Sequence, residues 1–167
     1  MNPEVKGFAL MHTDFARVVP LLLPVDEAFE PLIEELPEDD LITAMVAAFS
    51  SAARHQQPRW DQAARMAFCR KLLERCESDA KLWMVEASLR AAETDAADFV
   101  IGIPGDVLGE IQIAGLWLLT HEHLTRPECE ALREGAIDQA RVLAPEIRRG
   151  RSEKAAQDAG TRSINPT

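Results

Sequence analysis

The sequence is poor in the features that staple, anchor or arm a small protein. It has three cysteines, too few for a disulfide framework. Cys69 and Cys76 fall on one predicted helix, about 10 Å apart along its axis at 1.5 Å per residue. A disulfide needs Cα atoms within about 7 Å, so those two cannot pair, and Cys129 belongs to another helix. Free, buried thiols are expected. No apolar run approaches the roughly 20 residues that a bilayer-crossing helix needs, and the run Val18–Pro24 is split by Pro20. No basic-then-apolar leader with a small-residue cleavage site is visible, so the expected location is the cytoplasm. Arginine outnumbers lysine fourteen to four, a flavour that points to a GC-rich bacterial genome. There is no Gly-rich phosphate loop, no G-x-S-x-G and no Cys-x-x-Cys, and nothing calls for a cofactor.

Positive charge is also scarce. Eighteen Lys and Arg face 28 Asp and Glu, for a net charge of −10. The deficit is uneven: residues 1–53 hold ten acids and two bases, whereas residues 145–167 hold three acids and five bases. Such a chain is a poor ligand for nucleic acid or an anionic membrane and a good one for a basic protein.

What is present is helical periodicity. Leu41, Ile42, Met45, Val46, Phe49, Ala52 and Ala53 form one stripe over Glu38–Arg54, with acids at the N-terminal end where the helix dipole favours them. Helices are expected over Arg59–Cys76, with Trp60, Ala64, Ala67, Phe68, Leu72 and Cys76 inward, and over Ser78–Glu93, with Leu82, Val85, Leu89 and Ala92 inward. The segment Thr94–Gly105 reads as a loop with buried anchors Phe99, Val100 and Ile101. From Val107 to Leu119 only Glu110 and Gln112 are strongly polar. That composition predicts a central core helix with Asp106 as its N-cap. Thr125, Pro127 and Glu128 signal another start, and its helix is expected to end near Pro145.

The fold class is therefore all-α: a compact single domain of six to seven helices over residues 1–149, with a disordered tail over residues 150–167. Among candidate chemistries, His121, Glu122 and His123 bracket a carboxylate with two imidazoles, and Cys129 begins the next helix. Two histidines at i and i+2 diverge on an α-helix, whereas helical zinc sites use i and i+4. A small helical enzyme or metal-binding protein using these four residues is the alternative reading. The less random feature is residues 26–40, in which eight of fifteen residues are acidic and none is basic. Asp26, Glu27, Glu30, Glu34, Glu35, Glu38, Asp39 and Asp40 would steer a basic partner, and Phe29 would anchor it. The expected function is a non-catalytic protein-binding module, such as an immunity or antitoxin protein or a secretion chaperone or adaptor. A homodimer sealed through the apolar central helix is a third reading.

Overall fold

Alanine sets the geometry at the centre. The computed structural model describes residues 13–162, and its longest inward face belongs to α3 (Glu38–Gln56). That face is made of Thr43, Ala44, Ala47, Ala48, Ser50, Ala52 and Ala53 around one large side chain, Phe49. Side chains this small let neighbouring backbones approach closely, so α3 is walled in by α5 (Leu82–Thr94), α6 (Gly105–Leu118) and α7 (Arg126–Arg162). The stripe expected on α3 is displaced: Leu41, Ile42, Met45 and Val46 flank the buried face and are only half-buried.

Seven α-helices occur among the described residues and no strand does; α1 (Phe15–Val18), α2 (Phe29–Glu35) and α4 (Gln62–Arg75) complete the set. The fold is thus the expected all-α bundle. Its organising helix, however, is α3 and not the expected central helix over Val107–Leu119. Mean hydropathy favours α6, but packing favours the helix with the thinnest side chains. Leu108, Ile113, Ala114 and Trp117 of α6 are only half-buried. Its approach to the core depends on Gly115, where a Cβ would lie 2.8 Å from a Phe49 ring carbon and 3.2 Å from a Leu72 methyl.

α3 and α7 run antiparallel along most of their length. From one end to the other, Asp40 pairs with Arg148 (2.7 Å), Arg54 donates to Gln139 (2.7 Å), and Arg59 pairs with Glu128 (2.5 Å). The inner face of α7 is again small: Cys129, Ala136, Ala140 and Ala144 are buried. Thr125 and Glu128 form a capping box at its start. The Thr125 N–H donates to Glu128 (2.7 Å), and the Glu128 N–H donates to the Thr125 hydroxyl (3.3 Å).

Several expectations need correction. α7 does not stop near Pro145; it contains that residue and continues as helix to Arg162. The extension is fastened where Arg148 meets Asp40 and Arg151 meets Glu38 (2.7 Å) and Asp39. Residues 151–161 are exposed, so this part of the expected tail lies outside the core yet is helical; residues 163–167 lie outside the described residues. Asp106 is not the N-cap of α6. The helix begins two residues earlier than expected, with Pro104 at the cap, and Asp106 sits in its first turn. In the connector, Ala97–Val100 forms a 3-10 turn that leaves Phe99 42% and Ile101 75% exposed; Ile103 is the buried residue there. On α4, Ala64 and Ala67 face solvent, while Phe68, Cys69 and Leu72 are buried.

Two polar side chains tie the periphery to this frame. Glu110 accepts from the Glu77 (2.5 Å) and Ser78 (3.1 Å) amides, holding the turn between α4 and α5. Hydrogen bonds from Ser78 and Glu77 keep its carboxyl below the usual range. Arg133 of α7 donates to the Leu23 (2.8 Å) and Pro20 (3.4 Å) carbonyls, holding the turn that precedes α2. No helix of the described residues is long and apolar enough to cross a membrane.

Candidate functional site

α4 and α5 are joined at one end by the short turn that Glu110 holds. At the other end Arg65 makes two bonds to Glu93, Nε to Oε1 at 3.2 Å and Nη2 to Oε2 at 2.9 Å. The Glu93 side chain is 4% exposed, and the hydrogen bond that Arg65 donates to it raises the Arg65 pKa. A two-pronged pair of this kind fixes geometry as well as charge. It forms part of the wall of a cleft of about 830 Å³.

The α5 side of that cleft is the stripe Trp83, Glu86, Ala87, Arg90 and Thr94, which lies opposite the inward line Val85, Leu89 and Ala92. α4 contributes Gln62 and Met66, and the turns before α4 and after α5 contribute Trp60 and Phe99. Trp83 is 51% exposed. Phe99 carries the Arg90 guanidinium 5.6 Å from its ring centre. Glu86 has no ion-pair partner among the described residues. Sequence reasoning missed this site. Its signal was the aromatic Trp83 on the stripe of α5 that the core line leaves outside.

Behind Trp60 lies the π-helical turn Leu119–His123 that continues α6. The wider turn places His123 edge-on to Trp60 (ring centres 5.5 Å) and Phe68 (5.4 Å). Burial lowers its pKa, so at neutral pH it is a neutral ring filling an aromatic wall. His121 instead stacks on Trp117 at 4.5 Å. Glu122 pairs with Lys71, whose hydrogen bond lowers the carboxyl pKa. Cys129 is buried on α7, and burial raises its pKa despite the nearby Arg133. The four residues of the metal or enzyme alternative thus point to four different surroundings. Among the described residues no three His, Cys, Asp or Glu side chains converge on a common point. Burial also pushes the Cys69 thiol up to about 11 and raises that of Cys76. None of the three thiols is a ready nucleophile at neutral pH.

The acidic stretch divides into two parts. Asp40 is 1% exposed and is held by Arg148 and by the Thr13 hydroxyl. Glu38 and Asp39 are engaged by Arg151. The chain's own basic C-terminal segment has answered these three acids. Phe29 is 3% exposed, so it anchors α2 to the core and is not offered to a partner. Asp26, Glu27, Glu30, Glu34 and Glu35 remain at the surface, with Ile33 exposed among them. Asp26 accepts from the Ala28 amide (2.8 Å). None of the five has an ion-pair partner among the described residues.

No known protein family matches the chain, and no curated protein or solved structure matches it either.

Proposed function

We propose that the chain is a non-catalytic protein-binding module that engages a basic partner, with the α4–α5 cleft as its docking site. The observation that carries this reading is the exposure of Trp83 and Phe99 in the wall of one cleft. Large apolar side chains left at a concave surface are the usual anchors of a protein interface. The five unanswered carboxylates of residues 26–35 give the field that favours a basic partner and speeds its encounter. Neutralising a basic toxin, as immunity and antitoxin proteins do, or escorting a basic protein, as secretion chaperones and adaptors do, are the roles such a module would serve.

Site-specific crosslinking in cells tests it. A photo-crosslinking phenylalanine analogue replaces Trp83, Phe99 or, as a control, Val142, which is exposed on α7. A discrete adduct with one basic protein from positions 83 and 99, absent from position 142, is expected. Equal adducts from all three positions, or none from the cleft, overturn the proposal.

A further inference from the structure

Trp83 and Glu86 sit one turn apart on the cleft-lining stripe of α5. Each is without a partner where its neighbours have one. Arg65 and Glu93 satisfy each other, and Arg90 lies over Phe99. Trp83 has no ring or cation over its face among the described residues. The carboxylate of Glu86 has neither ion pair nor hydrogen bond there, and its charge reaches Arg65 only at longer range. A half-exposed indole one turn from an unpaired carboxylate, both lining one cleft, is complementary to one group above all. A guanidinium stacks flat on the ring and turns its N–H edge toward the acid. The chain already makes both halves of that arrangement internally. Arg75 lies 4.0 Å from the centre of the Trp117 ring, and Arg65 grips a carboxylate with two bonds.

We infer that the cleft is a receptor for an arginine side chain carried on an extended or helical segment of a basic protein, with Trp83 as the stacking platform and Glu86 as the counter-ion. This rests on the protein-binding reading and specifies what the cleft takes. Charge favours that occupant over a second copy of the chain, since the chain carries −10 and copies of it repel.

The test uses the full chain, labelled with nitrogen-15, and a short capped peptide of alternating arginine and leucine. The three tryptophans give three indole N–H signals, and Trp83→Phe assigns the one that matters. The peptide is expected to shift the Trp83 signal saturably and leave that of Trp117 in place. Replacing arginine by citrulline, which keeps the shape and removes the charge, is expected to abolish the shift. Glu86→Gln, at a half-buried position without a partner, should fold normally and weaken binding about tenfold, the range of one charge-assisted hydrogen bond.

Absence of a Trp83 shift up to millimolar peptide overturns the inference, as does equal binding of the citrulline peptide or unchanged affinity in Glu86→Gln. A Trp83 signal that moves with protein concentration alone assigns the cleft to a second copy. One that moves on deletion of residues 1–12 assigns it to the chain's own N-terminal segment. Either result also overturns the inference. If crosslinking from position 83 captures a basic protein while the arginine peptide leaves Trp83 unmoved, the module reading stands and arginine recognition falls. A shift without any crosslink upholds arginine recognition at the cleft and removes the support for a protein partner in the cell.

Discussion

Gly115 shows how one missing methyl group decides a helix contact. In a helix interior, glycine costs about 1 kcal/mol relative to alanine. Gly115→Ala would recover that and then drive a Cβ to 2.8 Å from the buried Phe49 ring. Overpacking of a filled core costs about 1–3 kcal/mol, so the clash outweighs the gain and the denaturant midpoint should fall. A Cβ at Gly135 on α7 would meet no other side chain within 4 Å, so Gly135→Ala should raise stability by up to about 1 kcal/mol. Parallel denaturant melts of the two variants check both signs. A stabilised Gly115→Ala would show that α6 does not need the close approach.

Glu128 carries the clearest pH signature. The hydrogen bond from Arg59, with those from Thr125 and His55, lowers its carboxyl from 4.5 to about 2. Because the folded value lies below the unfolded one, the unfolded chain takes up the proton first as pH falls. The stabilisation is complete above about pH 4.5 and is lost progressively between there and pH 2. Glu128→Gln should therefore melt below the parent at pH 7, with the gap narrowing across that window. A gap that stays constant would remove Glu128 as an acid-sensitive tie.

Among the elements, α7 is the one whose two ends play different parts. Arg148 answers a carboxylate that is almost wholly buried, so a chain ending at residue 147 leaves Asp40 with only the Thr13 hydroxyl. A buried charged group deprived of its partner costs about 1–3 kcal/mol or more. A chain ending at residue 149 keeps that pair and loses Arg151, whose bridges to Glu38 and Asp39 are more exposed and are worth about 0–1 kcal/mol. Thermal melts of the two truncations should separate clearly. Equal midpoints would place the fastening elsewhere. This extension is not legible in the sequence, because residues 151–162 have no apolar face. Its helix is an outgrowth of packed turns before it, held by two arginines whose acids lie 108 and more positions away. The 3-10 turn at Ala97–Val100 escapes the sequence for the opposite reason. Apolar composition suggests burial, but Ile103 fills the core site and leaves Phe99 and Ile101 outside.

At the scale of the whole molecule, helix type and number follow from periodicity, and the capping box of Thr125 and Glu128 is visible as a local signal. The centre is not, because hydropathy ranks alanine low and a packed bundle gives the middle to its smallest side chains. The acidic stretch stands out in composition. Only the fold shows that three of its acids, Glu38, Asp39 and Asp40, meet Arg148 and Arg151 of the same chain. The cleft depends on side chains from both α4 and α5, a pairing that no single window contains.

The antiparallel union of α3 with α7 also bears on the order of synthesis. Its ties join residues 69 to 113 positions apart, so α3 leaves the ribosome long before α7. Until residues 128–148 follow, only α5 and α6 can cover its alanine face, and the Asp40 carboxylate has only the Thr13 hydroxyl. The nascent chain thus leaves one side of its future centre open until α7 emerges, and closure of the bundle waits for that helix instead of proceeding stepwise from the N-terminus.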